Sequence, residues 1–211
     1  MLRLIVAVLA ALSIACGDGK SSPTSPTTSG RVVVLGDSLA VSPSRTVNFV
    51  TELQTRANQS NPGWTLINEG VSGDTTADGL QRIDGILASR PQVLVLELGG
   101  NDGLQGISTA TVERNLATMI ERARAQEVRV LLCGMEALPT RGLDYALEFR
   151  RIYPRLSTQY GVPLVPFLLQ GVALNPELTI DGVHPNAAGA RAVANIVWPH
   201  LQPLLTTTTT R

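Results

Sequence analysis

A serine hydroxyl and an imidazole, which together can split an acyl bond, both occur in this chain in settings that suit that chemistry. Ser38 lies in Arg31-Val-Val-Val-Leu-Gly-Asp-Ser-Leu39, where the apolar run Val32 to Leu35 is broken by Gly36. Such a run reads as a short buried strand. A serine just past its end falls where open α/β sheets carry their chemistry, in the crevice outside the carboxyl ends of the strands. Gly, Asp and Ser are also ordinary turn residues, so this stretch alone does not single out Ser38. The second setting is Thr179-Ile-Asp-Gly-Val-His-Pro185. An Asp three residues before a His can bend back and accept from imidazole Nδ1–H, which leaves Nε2 free to take a proton. Only two histidines exist, and His200, in Trp198-Pro-His-Leu-Gln-Pro203, has no carboxylate beside it in sequence. A nucleophilic Ser38 therefore needs His184 as its base and Asp181 as the carboxylate that orients it.

The elements that must position these groups follow from hydrophobic periodicity. Apolar runs predict strands at Val32–Leu35, Thr65–Asn68, Val93–Leu98, Val128–Cys133 and Pro163–Phe167. Between them, spacings of three and four residues predict helices marked by Val47, Val50 and Leu53, by Leu80, Ile83 and Leu87, and by Val112, Leu116, Met119 and Ala123. A fourth helix spans Tyr145 to Tyr160 with a kink or break at Pro154, and a last one runs from Asn186 to Trp198, ended by Pro199. Strand and helix alternate throughout. The expected fold is α/β, a three-layer α/β/α sandwich around a five-stranded parallel sheet in the flavodoxin-like order.

In a parallel sheet every strand-to-helix turn falls on one edge. That edge gathers Gly36-Asp-Ser38, Glu69-Gly-Val-Ser-Gly-Asp-Thr75 and Gly99-Gly-Asn-Asp-Gly103. Glycine-rich turns present backbone N–H groups, and Asn101 adds a carboxamide, so the edge suits a fixed anion or a charge that develops during reaction. Gly103 to Ser108 and Leu138 to Gly142 are candidate walls of a pocket beside it.

Composition narrows the class further. The chain has 211 residues, 44% of them hydrophobic, and its 17 Lys and Arg balance 17 Asp and Glu. This suits one globular domain and argues against a nucleic-acid partner, which leaves a basic footprint. Cys133 sits inside an apolar run and reads as a core residue; two cysteines provide no disulfide framework or cysteine zinc site. No metal or organic cofactor is implied.

Residues 1–15 place one positive charge, Arg3, before a dozen mostly apolar residues, which is the pattern of an export signal and is too short to span a bilayer. Ser13-Ile-Ala-Cys16 resembles the lipobox of bacterial lipoproteins, with Ser13 where Leu is usual, and this makes Cys16 the expected lipidation site. Residues 16–30, almost all Gly, Ser, Thr and Pro, read as a disordered linker. Residues 31–205 form the expected domain and 206–211 a disordered tail. The expected location is the periplasmic face of a bacterial membrane, held only by the lipid anchor, with a soluble periplasmic or secreted form as the alternative.

The blocks Gly36-Asp-Ser-Leu39, Gly70-Val-Ser-Gly73, Gly99-Gly-Asn-Asp102 and Asp181-Gly-Val-His184 resemble, in order, the four blocks of the GDSL esterases, or SGNH hydrolases. Glu97-Leu-Gly-Gly-Asn-Asp-Gly-Leu104 and Ile152-Tyr-Pro-Arg-Leu156 look most like the bacterial branch of periplasmic thioesterase/lysophospholipases and arylesterases. The resemblance implies Ser38 as nucleophile, His184 as general base and Asp181 as its partner. It further implies an oxyanion hole made by the Ser38 N–H, the Gly73 N–H and the Asn101 amide. The implied substrate is a small acyl ester or thioester, lysophospholipid included, and the protein is expected to be a monomer. Two alternatives are a carbohydrate O-deacetylase with the same triad and a non-catalytic binding lipoprotein.

Overall fold

The computed structural model describes residues 29–206. The expected export signal, Cys16, the linker up to residue 28 and the tail from residue 207 lie outside them. Five strands form among the described residues, β1 (Gly30–Gly36), β2 (Trp64–Gly70), β3 (Val93–Glu97), β4 (Arg129–Cys133) and β5 (Leu164–Val165). All pair in parallel, in the order β2-β1-β3-β4-β5. The two central runs, Val32 to Leu35 and Val93 to Leu96, are buried on both faces, which is why they read as unbroken apolar stretches.

Among the described residues, seven α-helices accompany the sheet: α1 (Ser38–Val41), α2 (Phe49–Ser60), α3 (Thr76–Ala88), α4 (Gly100–Gln105), α5 (Thr109–Ala125), α6 (Leu143–Tyr160) and α7 (Ala187–Leu201). Side-chain caps start most of the long ones. The Asn48 side-chain oxygen Oδ1 accepts from the N–H groups of Val50 and Thr51, Thr75 and Asp78 close a reciprocal box on α3, and Asn186 caps α7. Val47 lies before the Asn48 cap and is exposed, so α2 starts later than the apolar spacing predicts. Helix α3 packs on α5 and α5 on α6, while α2 packs on α7. Right-handed crossovers place these two groups on opposite faces once the chain reverses direction between β2 and β3. No helix among the described residues is long and apolar enough to cross a membrane.

The prolines depart from expectation. Helix α6 runs unbroken through Pro154, and α7 continues past Pro199 to Leu201. In each case the proline is exposed, as is the residue one turn back whose carbonyl loses its donor, so water can serve that carbonyl. Buried residues on either side, Ile152, Tyr153 and Leu156 in α6 and Val197 and Leu201 in α7, hold the helix together across the lost bond. Core packing thus outweighs a local cost of about 3 kcal/mol. Strand β5 is shorter than the expected Pro163–Phe167, and β1 begins at Gly30, one residue before the expected domain.

Candidate active site

Strand order reverses at β1, between β2 and β3, and the crevice opens at the carboxyl ends of these strands. Ser38 is the first residue of α1, immediately after the Asp37 cap. Its N–H, at the first helical position, has no acceptor within the helix. Asn101 is the second residue of α4, which starts from Gly99 at φ +117°. A side chain at Gly99 would meet both that left-handed backbone and the Tyr153 hydroxyl, which donates to the Leu98 carbonyl at 3.0 Å.

His184 arrives from the far end of the chain. Its Nε2 lies 2.9 Å from Ser38 Oγ, and its Nδ1 lies 2.7 Å from Asp181 Oδ2. Asp181 Oδ1 accepts from the backbone N–H groups of Val183 at 3.0 Å and His184 at 2.8 Å. The His184 N–H, the imidazole and the Val183 N–H together hold the Asp181 carboxyl well below the usual carboxylate range, although the side chain is exposed. It therefore carries its charge wherever the imidazole can act. With Nδ1–H committed to Asp181, the lone pair of Nε2 points at the Ser38 hydroxyl.

The segment bearing these two residues is closed on itself. The Ile180 N–H donates to the His184 carbonyl at 2.8 Å, Leu174 N–H to the Gly182 carbonyl at 2.8 Å, and Asn186 N–H to the Leu178 carbonyl at 2.9 Å.

Ser38, Asn101 and His184 share a cavity of about 400 Å³. Its walls are apolar and come from distant parts of the chain: Leu104, Met135, Ala137, Leu138, Phe167, Leu169 and Leu174. Of the two expected wall segments, the first contributes Leu104 and the second Leu138 and Pro139. Gly73, at φ +90°, stands on the exposed turn after β2 and does not line the cavity. The same turn is nevertheless joined to the site, because Asn101 Nδ2 donates to the Asp74 carbonyl at 2.9 Å. Cys133 is buried, and burial pushes its thiol well up, in keeping with a core residue.

Sequence reading did not single out two carboxyl groups behind the nucleophile. Asp37, 1% exposed, has its pKa raised to about 6 by burial. Glu97 is fully buried at the end of β3 and accepts the Asp37 N–H at 3.3 Å through Oε2. Burial, reinforced by the neighbouring Asp37 charge, raises its pKa well above the glutamate value. Both groups bind protons more tightly in the native state than in the unfolded chain, so stability falls as pH rises through the shifted range. For Asp37 that window runs from the ordinary value of 3.8 to about 6, and Glu97 extends it upward. The melting temperature is expected to decline from pH 5 to pH 8. Glu97→Gln, neutral and nearly isosteric, should melt higher at pH 8 and show a shallower decline. An unchanged slope in this variant would mean that Glu97 is not the source.

Comparisons with known proteins give the family and the fold. Residues 34–192 match the GDSL-like lipase/acylhydrolase family model. The chain is 39% identical over 178 residues to the esterase TesA of Pseudomonas aeruginosa, covering 82% of this chain and 89% of that protein. It is 34% identical over 143 residues to thioesterase 1/protease 1/lysophospholipase L1 of Escherichia coli, covering 67% and 69% of the two chains. A crystal structure of TesA superposes with a TM-score of 0.78 at 38% identity, covering 82% of this chain and 99% of that one. The chain belongs to the GDSL-like lipase/acylhydrolase family.

Proposed function

We propose that this protein is a serine hydrolase that cleaves carboxylic ester or thioester bonds of acyl substrates through an acyl-enzyme. The observation that carries the reading is the unbroken relay from Ser38 Oγ through both nitrogens of His184 to Asp181, with contacts of 2.9 and 2.7 Å. Ser38 Oγ attacks the carbonyl carbon while His184 Nε2 takes the hydroxyl proton. The imidazolium then gives that proton to the departing alcohol or thiol, and the same base activates a water that releases the acid. Asp181 keeps the ring in the working tautomer and offsets its transient charge. Charge on the carbonyl oxygen is met by the Ser38 N–H and the Asn101 amide, with the Gly73 N–H on the turn beside the cavity as the proposed third donor.

The apolar cavity wall supports an acyl chain longer than acetyl, and its volume of about 400 Å³ falls in the range of small-molecule sites. Rates on p-nitrophenyl esters are therefore expected to rise from acetate toward medium-length acyl groups. A profile confined to acetate would favour the O-deacetylase reading, and inertness toward every ester would favour a binding protein. We further propose that Cys16 carries the lipid anchor of an exported, periplasm-facing enzyme, a reading supported by Ser13-Ile-Ala-Cys16 after the apolar leader. Labelled palmitate should attach to the wild type and not to Cys16→Ser; equal labelling of both would remove the assignment.

A further inference from the structure

The Asn101 amide is already engaged before any substrate arrives. Its Nδ2 donates to Asp37 Oδ2 at 3.1 Å as well as to the Asp74 carbonyl, so both amide hydrogens have acceptors within the protein. Two acceptors on one side also decide which way the amide faces. Turned over, its oxygen would lie against a carboxylate and a carbonyl.

The two acceptors differ in kind. The Asp74 carbonyl belongs to a turn fastened by Arg82, whose Nη2 lies 2.6 Å from Asp74 Oδ2 and whose Nη1 donates to the Glu69 carbonyl at 2.9 Å. Asp37 is a side chain with a second duty, since its Oδ1 accepts the Leu39 N–H at 2.9 Å and caps the helix that carries Ser38. It is buried, so water does not readily replace it as the amide's partner.

We propose that Asp37 is a positioning residue for the reaction: Oδ2 holds the Asn101 amide with Nδ2 toward the reacting carbonyl oxygen and yields a share of that N–H as charge builds there. The inference rests on the reading of Asn101 as an oxyanion donor. The bond that yields is the longer of the two, and the Asp74 carbonyl keeps the amide in place meanwhile. At pH 8 Asp37, with its pKa near 6, is an acceptor only.

Two substitutions at one position separate this role from a merely structural one. In Asp37→Asn the side-chain oxygen remains on the Leu39 N–H, which leaves an NH2 group facing the NH2 of Asn101. Donor against donor, Asn101 must turn away, and the hole loses its amide. In Asp37→Ser the hydroxyl still caps α1 but is too short to reach Asn101, whose amide keeps the Asp74 carbonyl alone.

The experiment measures kcat and KM on a p-nitrophenyl ester at pH 8 for the purified protein, both Asp37 variants, Asn101→Ala and the two double variants. Asn101→Ala should lower kcat about 100- to 1000-fold. Asp37→Asn should cost about as much, and Asp37→Ser about tenfold, each with KM within about threefold of wild type. Placed in the Asn101→Ala background, both Asp37 changes should have almost no further effect, because the group they act through is gone. If either costs the same factor in that background as in the wild type, Asp37 acts independently and the proposal fails. It fails equally if Asp37→Asn keeps kcat within about threefold of wild type. Should Asp37→Asn not fold, Asp37→Ser, which retains the cap, decides the matter. A harmless Asn101→Ala would overturn the donor reading itself, and the proposal with it.

Discussion

Ser38→Ala is expected to eliminate covalent labelling by a fluorophosphonate and to lower ester hydrolysis by about 10⁴- to 10⁶-fold, leaving a folded protein. The size follows from what is removed. Without Oγ there is no covalent intermediate, so His184 can at most direct water, and the energy gained by holding nucleophile and carbonyl in contact is lost. Folding should be spared, because the Ser38 hydroxyl donates to His184 on the cavity side while α1 is held by the Asp37 cap and by burial of Leu39 and Ala40. Alanine adds no bulk there. Labelling measured by mass spectrometry, with circular dichroism as the control for fold, checks both halves. A variant that still takes up the probe would remove Ser38 from the role of nucleophile.

Asn101→Ala should show the second largest effect, a loss of about 100- to 1000-fold in kcat with KM nearly unchanged. The amide contributes most when the carbonyl oxygen carries charge, and less to the neutral ester, so binding of substrate is largely spared while the barrier rises. Substituting alanine also leaves Asp37 Oδ2 without its 3.1 Å donor and the Asp74 carbonyl without its 2.9 Å donor. Some thermal destabilisation should therefore accompany the kinetic loss. Steady-state kinetics on a single ester, read beside a melting curve, distinguishes the two. Near-normal turnover in a folded variant would take Asn101 out of the site.

The features legible in the sequence share one property: they are local patterns repeated along the chain. Val32 to Leu35 and Val93 to Leu96 read as strands because both faces are covered, so no polar residue interrupts them. The parallel order then follows from alternation with helices, and with it the placing of Ser38 and Asn101 on one edge. The partnership of Asp181 and His184 was legible too, since three residues is a distance that a turn can close.

What escaped the sequence depends on neighbours far apart in the chain. Pro154 and Pro199 read as helix breakers because nothing in their own segments reveals how much core lies beneath them. The cavity wall joins Leu104 of the short helix α4 with Leu138, Phe167 and Leu174 from separate loops, none with a periodicity of its own. The short helices α1 and α4 are too brief to leave a periodic trace. Asp37 looked like a turn residue, and only the fold brings Glu97 and Asn101 against it.

Strand β5 has only two residues, and the segment after it is fastened at its start, where Leu168 N–H donates to the Gly134 carbonyl at 2.9 Å and Leu168, Leu169 and Val172 enter the core, while residues 174–184 hold their shape by bonds to one another. The imidazole therefore sits on a loop that can come undone while the open sheet and its covering helices stay assembled, because none of the loop's own bonds belongs to the sheet. Loss of turnover on warming and loss of secondary structure are then separate events, the first preceding the second. For anyone seeking a hardier catalyst, reinforcement belongs in that appendage rather than in the already dense interior.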